Sequence, residues 1–356
     1  MKRKIKLYLI AVVALGIYSM SASHSFMMTF RNKWNNEKRP EVLKMDKQGD
    51  LYGLSYLSKY RIEGAGSYAV ADKQPVEKKD GKIYIMGDSY LAKMFLDDTS
   101  SNLYKTEPAV FFWFGLKTKK APPIHLQKDK KNILLIEMSE RFIRDRFTSP
   151  AMVKSITECF SPNGEGKNKK TSPLKWRIVP ETIEQNIGTL LFGYQLFRPV
   201  KEAKANFVYN TFNRCDPQVF VSEKRKRLYL SNTIDTLETT SSFKYIPEKE
   251  IELIVKNINA VSAHYHAIGF DEVVFTFIPN AATVCNPVSY SYNQLIPRIQ
   301  SSENLKADFI NVYDTFRAAP EPCNLYWKGD THWNVNGYAV WEGLMNEYLK
   351  SGYDNQ

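Results

Sequence analysis

Signatures of several common protein classes are missing from this sequence. Its four cysteines include no C-x-x-C pair, so a zinc site held by closely spaced thiolates is not expected. No basic stretch has aromatic residues interleaved with it, and nucleic acid is therefore not an expected partner. No segment recurs at the period of a solenoid, which argues against an array of short stacked repeats.

Histidine is also scarce, with five in 356 residues. His264 and His266 lie two apart on a predicted helix, so they do not share a face as metal ligands on one helix would. His24 and His125 stand in polar contexts without a partner pattern. The sequence therefore predicts no metal site and no cofactor.

The overall composition is that of a folded globular protein with a sizeable core, because 43% of the residues are hydrophobic and 24% are charged. The net charge of +11 includes four cations at the N-terminus, Lys2, Arg3, Lys4 and Lys6. The remaining surplus is moderate, and a solvated lysine-rich surface accounts for it.

An apolar run from Leu7 to Met20 follows those four cations. This is the pattern of a secretory signal peptide or of an uncleaved signal anchor. Cleavage after Ser23 is one alternative, but apolar residues continue at Phe26, and this favours the anchor. We therefore predict an anchor or signal in residues 1–29, with the rest of the chain exported and tethered at the periplasmic or extracytoplasmic face of the membrane.

The four cysteines are widely spaced, at Cys159, Cys215, Cys285 and Cys323. In an exported chain they can pair as disulfides, and four cysteines allow three connectivities. Four unpaired thiols are the alternative. The spacing does not choose among them.

The rest of the chain alternates between strand and helix patterns. Residues 30–80 are polar and turn-rich, which indicates a stalk ahead of a catalytic domain at 81–350. Three short apolar runs predict buried parallel strands, and a helix is predicted between the second and the third; these segments are 82–86, 132–137, 272–279 and 248–269. The alternation predicts a three-layer α/β/α sandwich with a mostly parallel central sheet.

Residues 161–245 interrupt this pattern and are interpreted as an insertion. A loop signal at 161–170 is followed by apolar positions at helical spacing between Pro180 and Phe197. The insertion is either a lid or docking surface, or a decorated connection within one domain.

Two separated blocks carry residues suited to nucleophilic catalysis. Gly87-Asp88-Ser89-Tyr90 follows the first predicted strand and leads into a predicted helix, and Gly329-Asp330-Thr331-His332-Trp333 lies near the end of the chain. A serine hydroxyl needs a base to remove its proton, and the base needs an acid to orient it. We therefore predict Ser89 as nucleophile, His332 as base and Asp330 as the acid.

These blocks resemble those of SGNH (GDSL-like) hydrolases, over most of residues 82–344. The Gly-Asp-Thr-His-Trp block resembles the alginate O-acetyltransferase-like branch, which also has one residue between acid and histidine. The order of the blocks differs from that branch, since the serine comes first here as in ordinary SGNH enzymes. The resemblance implies an SGNH-like fold and assigns Asp88 a structural role in the turn.

Residues around these blocks are predicted to bind the substrate or the oxyanion. The Ser89 N–H is expected to be one oxyanion donor, because the first amides of a helix have no partner within it. No Gly-x-Asn-Asp block supplies a second donor, and Asn280 is its candidate substitute. By resemblance Arg141, in the segment Ile136-Glu-Met-Ser-Glu-Arg141, faces the pocket, although a surface ion pair is the alternative. Tyr90 and Trp333 complete the set.

The predicted function is O-acetylation of an exported polysaccharide through an acyl-Ser89 intermediate. Relatives of this kind act beside a membrane-bound O-acyltransferase, and the resemblance implies such a partner, with the polysaccharide as acceptor. A carbohydrate or peptidoglycan esterase with the same triad is one alternative. A non-catalytic carbohydrate-binding or assembly protein that has kept the fold is the other.

Overall fold

A computed structural model describes residues 2–34, 49–62, 80–95, 103–104, 106–113, 124–160 and 182–354. The chain divides into two compact units. The first, here called the helical unit, comprises Met1–Gln48, Ser55–Lys59 and Lys167–Cys215. The second, called the sheet unit, comprises Gly49–Leu54, Tyr60–Gly166 and Asp216–Gln356.

The described strands form two sheets. They are β1 (Gly81–Gly87), β2 (Thr106–Trp113), β3 (Lys131–Ser139), β4 (Val219–Ser222), β5 (Arg227–Leu230), β6 (Glu272–Ile278) and β7 (Asp308–Ile310). Five of them form the main sheet in the order β2-β1-β3-β6-β7, and every neighbouring pair is parallel. The other two, β4 and β5, pair as an antiparallel hairpin.

The described α-helices fall between and after the strands. They are α1 (Lys2–Ala22), α2 (His24–Trp34), α3 (Asp50–Ser55), α4 (Ser89–Phe95), α5 (Glu140–Thr148), α6 (Pro150–Thr157), α7 (Ile183–Phe192), α8 (Arg198–Phe212), α9 (Glu248–Ala267), α10 (Ala281–Cys285), α11 (Leu295–Gln300), α12 (Val312–Ala318) and α13 (Val335–Asp354).

Alternate residues of the central strands enter two different cores. Leu134 and Ile136 of β3 lie in the core that α5, α6, α9 and α11 cover, while Ile133 and Leu135 lie in the core that α4, α12 and α13 cover. This is the period-two alternation of a strand with both faces buried, which explains why the strands are nearly continuous apolar runs. The prediction of a mixed α/β fold with a mostly parallel central sheet is confirmed.

The predicted strands and helix lie close to the observed ones. The runs at 82–86, 132–137 and 272–279 correspond to β1, β3 and β6, and the helix predicted at 248–269 corresponds to α9. The short strand β7 and the edge strand β2 were not predicted. Of the stalk predicted at 30–80, residues 30–34, 49–62 and 80 are described, and Leu51 and Tyr52 are buried in the sheet unit.

The predicted insertion contributes to both units. Residues 161–181 lie outside the described residues, α7 and α8 belong to the helical unit, and the β4–β5 hairpin belongs to the sheet unit. From the hairpin, the Leu228 N–H donates to the carbonyl of Lys328, and the Arg227 guanidinium donates to the carbonyl of Tyr326 at 2.7 Å. The hairpin therefore contacts the chain just ahead of residues 329–333.

One disulfide joins two of the four cysteines. Cys285 and Cys323 are bonded, with their Cα atoms 5.2 Å apart, while Cys159 is a buried free thiol. Burial raises the pKa of the Cys159 thiol to about 11, so the thiol is protonated at neutral pH. The bond links the helix after β6 to the segment that precedes the C-terminal block.

The helical unit contains the one helix, among the residues described, that is long and apolar enough to cross a membrane. This is Lys4–Ala22 within α1. The mean hydropathy of its most apolar stretch is 1.8, and 11% of the residues in that stretch are buried. Helix α7 packs against α1, and the predicted helix between Pro180 and Phe197 is confirmed by α7 and a 3-10 turn at Gln195–Phe197.

Candidate active site

Ser89 lies on the turn between β1 and α4. Gly87 ends the strand where a Cβ atom would lie 2.9 Å from a Glu137 carboxylate oxygen and 3.0 Å from the Phe111 ring, so a larger residue would displace these side chains. Ser89 is the first residue of α4, and its N–H therefore has no partner within the helix. Ser89 is half-buried, and its hydroxyl oxygen lies 2.7 Å from Nε2 of His332.

Asp88 fastens this turn to the neighbouring strand. Its carboxylate accepts hydrogen bonds from the Tyr90 N–H at 2.9 Å and from the Ser139 N–H and hydroxyl at 3.0 and 2.6 Å. Three donors from two segments fix the carboxylate between β1 and the end of β3. This geometry agrees with a structural role for Asp88.

Asp330 and His332 are held together by their own local turn. One Asp330 carboxylate oxygen lies 2.5 Å from Nδ1 of the His332 ring and also accepts the His332 backbone N–H at 2.9 Å. An aspartate side chain that accepts the N–H two residues later forms an Asx turn. A single residue between Asp330 and His332 therefore suffices to bring the carboxylate onto the ring, and both side chains are buried.

A residue that the sequence did not indicate, Asp50, completes this loop. Its backbone N–H donates to the second carboxylate oxygen of Asp330 at 3.0 Å. Its own carboxylate accepts the Thr331 N–H at 2.7 Å and the Thr331 hydroxyl, and lies 3.8 Å from Nδ1 of His332. The only signal in the sequence was an acidic residue ahead of a short apolar run at 51–54, which is typical of a helix start.

The pKa of the Asp50 carboxyl depends on its burial and on its neighbours Asp330, His332 and Thr331. Partial burial raises its pKa, the Asp330 carboxylate raises it further, and His332 and Thr331 lower it. The side chain remains 42% exposed. Both the Asp330 and the Asp50 carboxylates therefore lie on the Nδ1 side of the His332 ring.

Asp50, Asp330 and His332 also form the one group of possible metal ligands in the described part of the chain, with ligand atoms within 4.8 Å of one another. Both ring nitrogens of His332 already have hydrogen-bonding partners, Asp330 at Nδ1 and Ser89 at Nε2. A metal ion would have to replace one of these bonds. A hydrogen-bonded chain from serine to acid accounts for the same geometry.

Tyr90 and Trp333, both predicted to bind substrate, are buried beside the candidate site. The Tyr90 hydroxyl donates to the Thr331 carbonyl at 2.7 Å, and its ring lies 4.9 Å from that of His332 and 5.4 Å from that of Trp333. Burial raises the pKa of Tyr90 well above its ordinary value, which keeps the hydroxyl protonated as a donor. In this structure the Tyr90 ring packs against the imidazole, and the Trp333 ring packs against that of Tyr90.

Arg141 and Asn280 lie at one pocket. Its lining includes Tyr90, Asp330 and Thr331 from the triad region and Leu228–Leu230 from β5. Arg141 is half-buried with its guanidinium 4.9 Å from the Phe142 ring centre, and its buried Nε has no hydrogen-bonding partner. The Asn280 side-chain amide donates to the Ser242 hydroxyl at 3.0 Å, as a structural loop residue does.

Two buried glutamates support these loops from within the sheet unit. Glu137 accepts the Asp88 N–H at 2.8 Å, and Glu140 accepts the Asn280 N–H at 2.7 Å. Burial raises the pKa of Glu137 well above its ordinary value, and the nearby Asp88 carboxylate raises it further. Burial raises the pKa of Glu140 to about 7.

The strand order explains where the site lies. From β1 the chain continues to β2, its neighbour on one side. It then crosses to β3, on the other side of β1, and continues away from β1 to β6 and β7. In open parallel sheets a crevice forms at the carboxyl ends of the two strands where this direction reverses. Ser89 follows β1, and Glu140 and Arg141 follow β3, so the candidate site lies at this reversal.

The arrangement is a chain of hydrogen bonds from a hydroxyl through an imidazole to a carboxylate, which suits acyl transfer through a serine ester. Comparisons with protein-family models, with curated proteins and with solved structures found no match. The chemical interpretation therefore depends on the geometry of the site and on its residues.

Proposed function

We propose that this chain is a serine-dependent acyl-transfer enzyme of the SGNH hydrolase type, and that it O-acetylates an exported polysaccharide. One observation carries the proposal: His332 Nε2 lies 2.7 Å from the Ser89 hydroxyl while its Nδ1 lies 2.5 Å from Asp330. The contact joins residues 243 positions apart, so it is a product of the fold. The blocks at 87–90 and 329–333, each a weak motif alone, are joined by this hydrogen bond.

The geometry supports a two-step reaction. In the first step the Ser89 oxygen attacks the carbonyl carbon of an acyl ester while His332 Nε2 takes the hydroxyl proton, and the tetrahedral intermediate then expels the donor's alcohol, which takes that proton. In the second step a sugar hydroxyl attacks the acyl-Ser89 ester, gives its proton to His332, and releases the Ser89 oxygen, which recovers the proton. Asp330 orients the ring and stabilises the imidazolium in both steps.

The negative charge of each intermediate develops on the former carbonyl oxygen. The Ser89 N–H, at the start of α4, is the proposed backbone donor to this oxygen. Arg141 is proposed either as the second donor to the oxyanion or as the cation that binds the acceptor sugar. Its buried Nε lacks a hydrogen-bonding partner, and it lines the pocket together with Asp330. A planar guanidinium suits either an oxyanion or a sugar carboxylate.

The membrane segment suggests how the acyl group arrives. The apolar helix Lys4–Ala22 would tether the enzyme to a membrane with the sheet unit on the extracytoplasmic side. A membrane-bound O-acyltransferase that carries acetyl groups across the bilayer is the proposed donor, and the polysaccharide is the acceptor.

Ser89-dependent turnover in purified full-length protein tests the proposal. The detergent-solubilised chain is given 4-nitrophenyl acetate with and without acidic and neutral oligosaccharides, and the products are identified by mass spectrometry. Ser89→Ala should abolish turnover and the acetyl adduct on the enzyme, whereas Ser301→Ala, at an exposed serine, should change neither.

Three outcomes separate the alternatives. Acetylated sugar supports transfer. Release of acetate alone, still dependent on Ser89, would indicate an esterase. Turnover that is unchanged in Ser89→Ala, or absent from the unmodified protein, would contradict an enzymatic role for this site and favour a binding or assembly protein.

A further inference from the structure

Outside α1, the exposed apolar side chains of the described residues are concentrated in one short segment. Twenty large hydrophobic residues are exposed among those described, and ten of them belong to α1. Six of the other ten fall between residues 191 and 212, in α7, α8 and the turn that joins them. They are Leu191, Phe192, Leu196, Val200, Phe207 and Phe212. A soluble surface rarely gathers apolar side chains in this way unless a partner covers them.

Helix α8 has two different faces. On one face, Lys201 donates to the Tyr56 hydroxyl and Asn206 donates to the Ser58 hydroxyl, both at 2.9 Å, so this face packs on another part of the helical unit. On the opposite face, Val200 and Phe207 are 70% and 63% exposed, with the exposed Ala203 between them. Positions 200, 203 and 207 recur at helical spacing and form a single stripe.

The charge of α8 complements an acidic surface. The helix has three basic residues and one acidic residue, and the basic Lys204 is exposed beside the stripe. An apolar stripe flanked by lysine is the pattern of helices that lie in the plane of a membrane interface, where the cations meet anionic lipid headgroups.

The contact between α7 and α1 indicates that the exposed apolar segment lies near the end of the candidate membrane span. The Asn186 side chain of α7 is buried and donates to the Ser21 carbonyl at 2.8 Å. Ser21 is in the last turn of the apolar helix, and Ser21 to Ser23 are buried while the apolar side chains before them are exposed. Helix α7 therefore docks on α1 at the point where the candidate membrane span ends.

We propose that the segment 191–212 is a membrane-docking surface that lies on the lipid headgroups beside the end of α1, with Val200, Phe207 and the neighbouring apolar side chains inserted into the bilayer. The inference depends on the membrane role of α1 that is proposed above. It adds a second contact to the anchor, which would hold the helical unit flat on the membrane surface.

Photo-crosslinking in the full-length protein tests this contact. Benzoylphenylalanine replaces one residue at a time in protein reconstituted into vesicles of phosphatidylethanolamine and phosphatidylglycerol, and lipid adducts are identified by mass spectrometry. The expected result is lipid adducts at Phe207 and Val200. Tyr209 is the matched control, because it lies on the same helix about 160° around the axis from Phe207 and should give no lipid adduct.

A further control at Leu9, within α1, separates the two proposals. Lipid adducts at Leu9 without any at Phe207 or Val200 would overturn the docking surface and leave the anchor intact. No adducts at Leu9 would refute the anchor itself and the docking surface with it. Adducts that join Phe207 to a second copy of the chain, or equal lipid adducts at Phe207 and Tyr209, would also overturn the inference. The Ser89 assay is independent of all these outcomes.

Discussion

A buried carboxyl beside the pocket should make the stability of this protein strongly dependent on pH. Glu140 follows β3, is almost fully buried, and accepts hydrogen bonds from the Asn280 N–H and the Thr283 hydroxyl. Burial raises its pKa from 4.5 to about 7, although the contacts with Thr283, Asn280 and Tyr292 each lower it. The neutral variant Glu140→Gln keeps a side-chain oxygen that can accept the same bonds.

The direction in which the free energy of unfolding changes with pH depends on whether the folded or the unfolded chain binds the Glu140 proton more tightly. Below pH 4.5 the carboxyl is protonated in the folded and the unfolded chain, and it contributes no pH dependence. Between pH 4.5 and 7 the unfolded chain loses this proton while the folded chain keeps it, so the free energy of unfolding falls as pH rises. At about 1.4 kcal/mol for each pH unit, the loss amounts to about 3 kcal/mol and is complete above the folded-state pKa.

Urea unfolding followed by tryptophan fluorescence at several pH values measures this difference. The stability of Glu140→Gln relative to the unmodified protein should rise by about 3 kcal/mol across the window and then stay constant. Glu252→Gln, at an exposed carboxylate of α9, controls for the loss of one negative charge. A difference between Glu140→Gln and the unmodified protein that is the same at pH 4 as at pH 8 would refute the argument.

Three other changes test separate parts of the site and its support. Asp50→Ala removes the acceptor for Thr331 and should lower kcat/KM in the acyl-transfer assay about ten- to a hundredfold. Asp50→Asn should lower kcat/KM less. Equal losses of kcat/KM in the two variants would show that the hydrogen bonds do not matter. Gly87→Ala places a Cβ atom 2.9 Å from Glu137 and should lower the free energy of unfolding by about 1–3 kcal/mol, a cost that calorimetry can measure and that an unchanged melting temperature would exclude. The double variant Cys285→Ser, Cys323→Ser opens a cross-link across 38 residues and should cost about 2–4 kcal/mol in urea unfolding; an equal stability of both proteins without reductant would contradict this value.

The parts of the fold that the sequence indicated are those with a strong local pattern. Strands β1, β3 and β6 are buried on both faces, so their apolar runs are uninterrupted, and α9 has a continuous apolar face. Strand β7 is only three residues long and gives no such run. Strand β2 has a run of apolar residues from Ala109 to Trp113, but no flanking motif distinguished it from the lysine-rich chain around it.

The same distinction applies to the candidate site. Ser89, Asp330 and His332 stand in two compact blocks, which are weak motifs separately but together indicated a nucleophile, a base and an acid. Asp50 contacts Thr331 across 281 positions of sequence and stands in a polar segment, where nothing local indicates its partner. The role of Tyr90 likewise depends on a contact with Thr331, 241 positions away, that only the fold provides.

The distance along the chain between the proposed nucleophile and the proposed base has a consequence for biogenesis. Since Ser89 emerges during synthesis well before His332, the growing polypeptide carries a hydroxyl with no base to activate it until its final helix is being made. A ribosome-stalled or prematurely terminated product that lacks α13 and the loop ahead of it would be inert toward acyl donors, even with β1 and its turn already folded. Under the proposed function, the protein would therefore acquire its activity only when synthesis of the chain is almost complete.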